Sequence, residues 1–284
     1  MRRVLAAVDL RPVSRRVVDR ARVVAEQTGA ELTLLHALEP LADTFVPGPI
    51  AARLREHRAE EARELYDWVQ ARTEVPLDLA VKKGSPDWEI VHEAKRSDLV
   101  VVGASSRDIN RIGPVALRVV SMARCDVLVV RRQPRVAYRR VVAAVDFSEA
   151  SVLAVEAAFR LAPDAEVTIV YALPTRFDAQ LVASGWFPEE LDDIRRNRQH
   201  NAHEAMEAFA SRWPGRVRTV VSDGPAKEVV EEVARRRGAD LVTVSNRGAG
   251  ATRMVLLGTV ADRVMGAVPC DVVVARVPGE FRRP

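Results

Sequence analysis

Cysteine, lysine and aromatic residues are all scarce in this 284-residue chain, and each scarcity excludes something. Two cysteines, Cys125 and Cys270, cannot staple a disulfide scaffold, so a reducing, cytoplasmic setting is the expectation. No run free of Asp, Glu, Lys and Arg exceeds ten residues, well short of the ~20 apolar residues that a membrane span needs. Arg2 and Arg3 followed by an apolar run resemble the start of a secretory signal, but Asp9 ends that run after five residues, where roughly seven to fifteen are required. Transmembrane, collagenous and wholly disordered classes therefore fall away.

Charge is plentiful, at 29% of residues, and almost all of the positive part is arginine, since only four lysines contribute. The pI of about 9.4 suggests nucleic acid, yet few groups titrate between neutrality and pH 10, so a small arginine excess moves the pI far. Residues 1–137 hold 23 basic against 19 acidic side chains, and the remainder is balanced at 20 each. Nucleic acid is not the expected partner.

What is present is one unit written twice. RRVLAAVDL (2–10) and RRVVAAVDF (139–147) are identical or similar at eight of nine positions, at an offset of 137. SDLVVVGAS (97–105) is matched by ADLVTVSNR (239–247), and RCDVLVVRR (124–132) by PCDVVVARV (269–277). Copies this long exceed any solenoid repeat and predict two duplicated domains, 1–137 and 138–284, joined through RRQPRVAYRR at 131–140. In the first copy, short Val/Leu/Ala runs predict strands at 3–8, 31–37, 76–82, 98–103 and 126–131. Helical periodicity covers 14–28, 50–72, 86–96 and 114–123. Val17, Val18, Ala21, Val24 and Ala25 share one face of the first helix, with Arg15, Arg16, Arg22 and Glu26 opposite, Ser14 as N-cap and Gly29 as stop. Strands this uniformly apolar belong to a parallel sheet covered on both faces. The expected fold is therefore α/β, two tandem, doubly wound, five-stranded parallel-sheet domains. Ligands of such sheets bind beyond the carboxyl ends of the strands, which directs attention to Asp9 and Asp146, to Ala37 and Ala172, and to the loop after each fourth strand.

That loop is informative in the second copy. Ser245-Asn246-Arg247-Gly248 is followed, nine residues later, by Gly258-Thr259 at the predicted start of a helix reaching about Gly266. Glycines admit an anion close to backbone N–H groups, and a helix start presents unpaired donors. The chain here resembles a tandem universal stress protein, whose nucleotide-binding members carry G-x2-G-x9-G-(S/T) between the fourth strand and fourth helix. The match holds at Gly248, Gly258 and Thr259 with the spacing kept, and departs at Ser245. VDFSEAS (145–151), TGAELTLLHA, KGSPDWEI, CDVLVV and PCDVVVA extend the resemblance over essentially the whole chain, twice. It implies the adenine-nucleotide alpha-hydrolase-like fold, a stress-associated protein, commonly dimeric, and ATP, with Mg2+ as its companion ion, in one subgroup. Asp146, with Phe147 and Ser148 beside it, would lie near adenine, and Ala172 and Leu173 would flank base and ribose. Phosphates would fall to Gly248, Gly258, Thr259 and the N–H groups of Val260 and Ala261, with Ser245 at the loop's start and Arg247 and Arg253 adding charge. The last strands, Val127 to Arg131 and Val272 to Arg276, would pair as an internal pseudo-dimer.

The first copy departs further. Gly103 is kept, Ser106 replaces the second glycine, only six residues precede Gly113, and Pro114 removes both a hydroxyl and an N–H where phosphate would be held. Arg11 stands where the second copy has Ser148. The expectation is one competent site, in the second copy.

Other signals compete. Gly248-Ala249-Gly250 lacks the third glycine of a dinucleotide fingerprint, and no P-loop is present. His200 and His203, near Asp192, Asp193 and Glu204, have partial metal-ligand spacing or lie on a solvated helix face. Cys125 and Cys270 read as buried structural thiols, and the arginines at 131–140 as a solvated join or a surface for acidic partners. Phe45, Phe177, Trp186 and Phe187 sit in Pro/Gly-containing stretches that could be lids, partner surfaces or packed loops. Asp262 is the only acid near the phosphate loop, so an enzyme is not expected beyond slow ATP hydrolysis. Two alternatives stay open: a scaffold or adaptor working through the Trp/Phe loops with an unidentified protein partner, and a small-molecule or lipid carrier.

Overall fold

Uniformly apolar strands alternate with amphipathic helices along the chain, and the computed structural model places them as layers. It describes residues 1–10, 14–39, 48–105, 111–134, 136–175, 188–246 and 259–277. The first repeat holds β1 (Arg3–Val8), α1 (Ser14–Thr28), β2 (Glu31–Leu38), α2 (Gly48–Gln70), β3 (Leu77–Lys83), α3 (Pro86–Glu93), β4 (Leu99–Gly103), α4 (Pro114–Met122) and β5 (Asp126–Val130). The second holds β6 (Arg140–Val145), α5 (Glu149–Leu161), β7 (Glu166–Leu173), α6 (Pro188–Ala210), β8 (Val217–Asp223), α7 (Ala226–Arg237), β9 (Leu241–Ser245), α8 (Thr259–Ala267) and β10 (Asp271–Ala275). The protein is an α/β fold with a parallel-dominated sheet.

The chain divides into two compact units, Met1–Ala137 with Pro269–Pro284, and Tyr138–Val268. In the first, strand order is β3-β2-β1-β4-β5-β10, parallel except for β10. In the second it is β9-β6-β7-β8, all parallel. Order reverses between β1 and β4 in one unit and between β6 and β9 in the other, the crevice positions of doubly wound sheets. Central strands are apolar because helices cover both faces: β5 and β10 are buried at every position and β4 and β9 at all but the last. Each buried Val or Leu contributes roughly 1.5–3 kcal/mol. The outer strands β3 and β8 carry the exposed polar residues.

The strand that ends the second repeat joins the first unit. Val272, Val273 and Val274 pair antiparallel with Val129, Leu128 and Val127. Asp271, 1% exposed, accepts the N–H groups of Arg131 (2.8 Å) and Arg132 (3.2 Å) and lies 3.3 Å from the Arg20 guanidinium. Asp126 accepts Arg276 N–H at 2.9 Å. Arg131 is buried and belongs to no solvated join: its backbone N–H serves Asp271, whose charge is met by Arg20. At the opposite ends of the strands the repeats share a staple: Asp98 accepts the Arg2 and Arg3 amides, and Asp240 those of Arg139 and Arg140.

Helix α1 runs from Ser14 to Thr28, and Gly29 at φ 63° stops it. Ser14 opens the helix, but its hydroxyl is turned to Asp9. Arg16, placed by periodicity on the polar face, is buried with Arg20. Among the described residues no helix is long and apolar enough to cross a membrane.

Cys270 is buried and Cys125 partly so, and neither is in a disulfide. Burial, reinforced by the neighbouring Asp126 carboxylate, pushes the Cys125 thiol up to about 12. The thiolate is the reactive form, so alkylation of Cys125 in the folded protein is expected to be slow at pH 8 and to keep rising with pH, with no plateau below about pH 11. A mass-spectrometric pH–rate profile checks this, and a plateau near pH 8 to 9 would contradict it.

Candidate functional site

Each repeat's first strand is followed by an aspartate whose backbone and carboxylate are held by a serine five residues on. In the second unit Ser151, at the first turn of α5, donates its hydroxyl to Asp146 Oδ1 at 2.5 Å and accepts Asp146 N–H at 2.9 Å. Ser148 adds its hydroxyl (2.5 Å) and its N–H (3.2 Å) to the same oxygen, and caps α5 by accepting Ser151 N–H at 3.3 Å. In the first unit Ser14 makes the equivalent pair with Asp9, at 2.5 and 3.0 Å. The Asp-x4-Ser spacing recurs in both repeats and was available in the sequence as a signal for Ser14 and Ser151.

The residue after each aspartate is strained. Phe147 has φ 64° and Leu10 φ 59°, and no other described non-glycine residue has positive φ. Such backbone persists only where its surroundings over-determine it, and it concentrates at ligand sites. The turn throws Phe147 onto Tyr171, ring centroids 4.3 Å apart, and toward Phe209 of α6 at 5.8 Å. Burial raises the pKa of the Tyr171 hydroxyl, the Asp146 carboxylate adds to the shift, and Arg198 opposes it. In the first unit His36 occupies the matching register, opposite Val8 as Tyr171 is opposite Val145, and its Nδ1–H donates to Val8 C=O at 2.9 Å.

Because β6 lies between β7 and β9, the carboxyl ends of these strands share one edge. Asp146, Phe147 and Ser148 follow β6, Ala172 and Leu173 end β7, and Ser245 ends β9. Leu173 is buried and its carbonyl accepts Gly224 N–H at 3.0 Å. Helix α8 opens at Thr259, with Val260 exposed and Ala261 buried. Arg247, Gly248, Arg253 and Gly258 lie outside the described residues, as do Phe45, Phe177, Trp186, Phe187, Arg11 and Ser106.

At the same edge of the first unit a donor is already spent. Gly113 N–H donates to Ala104 C=O at 2.5 Å, and a Cβ on Gly113 would stand 3.3 Å from that oxygen. Pro114 follows with no N–H. On α6, His200 Nε2 pairs with Glu204 at 3.2 Å, and His203 Nδ1–H donates to Gln199 C=O at 2.7 Å. Among the described residues no group of three or more His, Cys, Asp or Glu side chains is placed to hold a metal.

Ser151 is 1% exposed. Ser151→Ala leaves the Asp146 amide and carboxylate each short of a partner in a half-buried turn, an expected loss of about 1–3 kcal/mol in urea unfolding. A loss under about 0.5 kcal/mol would show that the turn is held without Ser151.

The model of the universal stress protein family matches residues 1–131 and 137–276. A universal stress protein of Mycobacterium tuberculosis is 27% identical over 293 residues, covering 96% of each chain. One from Methanocaldococcus jannaschii is 30% identical over 144 residues, covering 50% of this chain and 84% of that protein. Among solved structures, a universal stress protein from Archaeoglobus fulgidus superposes with TM-score 0.69 at 16% identity, over 98% of this chain and 97% of that one, a likeness of fold.

Proposed function

The chain belongs to the universal stress protein family, and from that premise we propose that it is a stress-response switch or sensor that binds an adenine nucleotide, ATP, in its second repeat. The observation that carries this is the start of α8 at Thr259, directly after Gly258, beyond the carboxyl end of a strand that neighbours β6. Thr259, Val260 and Ala261 are not proline, so the first turn of α8 offers N–H donors with a favourable dipole, and Thr259 adds a hydroxyl. These residues fit a polyphosphate. Gly248 and Gly258 would let the loop approach it, with Arg247 and Arg253 supplying charge, and Ser245 starts the loop. On the base side, Asp146 is pre-set by Ser148 and Ser151, so an N–H donor of the ligand meets an acceptor already oriented. Ala172 and Leu173 provide the apolar flank. When bound, ATP would bring the charge that the loop arginines meet, and its Mg2+ would be carried in on the phosphates, since Asp262 is the only acid nearby in the sequence. Pairing of β5 with β10 supports the internal pseudo-dimer that the resemblance implies.

Native mass spectrometry of freshly purified protein tests the reading. An ATP or AMP adduct on the chain is expected. An apolar adduct would favour a lipid or small-molecule carrier, and no adduct even after ATP is added would favour a scaffold.

A further inference from the structure

We infer that the first repeat carries a built-in lock: the Arg16 guanidinium ties the carboxyl ends of β4 and β5 together, closing to anions the edge that its counterpart presents to a ligand. The lock itself requires no nucleotide, and only its contrast with an open counterpart rests on the function proposed above. Arg16 reaches from α1, 8% exposed, and donates from Nη1 to the Arg131 carbonyl at 2.8 Å and from Nη2 to the Ser105 carbonyl at 3.0 Å. The Ser105 carbonyl follows β4, which flanks the β1–β4 reversal of strand order where a doubly wound sheet would take its ligand, and the Arg131 carbonyl follows β5, one strand farther out.

An anion hole aims N–H groups at an empty position. Here the polarity is inverted: carbonyl oxygens converge on a cation, and Asp9 and Asp271 add negative potential around it. Burial lowers the Arg16 pKa, while Asp271 and then Asp9 act in the opposite direction. Arginine stays charged under such a shift, so the cation is permanent. Two backbone positions at this edge are also crowded. Gly113 N–H is used by Ala104 C=O, the Gly113 Cβ position is 3.8 Å from Ser105 Cα, and that of Gly103 is 3.3 Å from Val17 Cγ2. The residue at the matching position of the second repeat is Leu153, which has no donor with which to build such a bridge.

Amide hydrogen exchange on the full chain without nucleotide tests the lock. Gly113 N–H is expected to be protected, and Arg16→Leu to speed its exchange by about tenfold or more while amides of β1 hold their rates. Arg16→Lys keeps the charge but not the planar fork that spans two carbonyls, so it gives the same selective acceleration and decides the matter if Arg16→Leu fails to fold. Unstructured-chain exchange at Gly113 in the unaltered protein, or unchanged rates in both variants, would overturn the inference. So would acceleration of Gly113 and β1 together in both, which would make Arg16 a general stabiliser. In a Gly258→Asp background, ATP is expected to leave Gly113 exchange unchanged, and protection there would show an open first repeat. Failure of the nucleotide proposal reads differently: the unaltered chain binds no ATP and the exchange results stand.

Discussion

Gly258→Asp is expected to abolish nucleotide retention, whereas Gly113→Asp leaves it within about twofold. At 258 the added carboxylate enters the position proposed for phosphate, immediately before the first turn of α8. Two like charges about 4 Å apart cost roughly 4 kcal/mol at an effective dielectric of ~20, about a thousandfold in affinity. At 113 nothing is taken from a ligand, because the N–H already serves Ala104 C=O and Pro114 offers none. Calorimetric titration of both variants with ATP checks the asymmetry, and equal loss from both would overturn it.

Asp271→Ala is expected to be the most damaging single truncation to stability, about 3–5 kcal/mol by chemical denaturation. Asp271 is 1% exposed, accepts two backbone N–H groups and neutralises Arg20, itself 5% exposed. Its removal strands a buried cation and two donors at the point where β10 meets β5. A loss below about 1 kcal/mol would mean that water or other groups replace it.

Much of the fold was legible because burial repeats at the period of the backbone. Helix α1 was expected over 14–28 and found there, since Val17, Val18, Ala21, Val24 and Ala25 are buried together and Gly29 adopts a left-handed φ. Arg16 and Arg20 were not legible. A helical wheel assigns arginine to water, and only the assembled sheet shows the strand-end carbonyls and the Asp271 carboxylate that accept it. Phe147 and Leu10 hid for a related reason: apolar side chains give no sign of positive φ, which glycine or asparagine would have advertised. Of the residues proposed for the site, the position of Asp146 after β6 and the helix start at Thr259 were readable from repeat and spacing. Ser151 and Tyr171 were missed, although the repeated Asp-x4-Ser pattern pointed to the first. Tyr171 needed register, because only β6–β7 pairing places it opposite Val145 and beneath Phe147.

Two repeats of one fold, one closed by Arg16 and one proposed to bind, make a numerical claim. Titrating the purified full-length protein with ATP by calorimetry measures it directly. One nucleotide per chain, lost in Gly258→Asp, is the predicted result. A stoichiometry of two, or no binding by the unaltered chain, would contradict it.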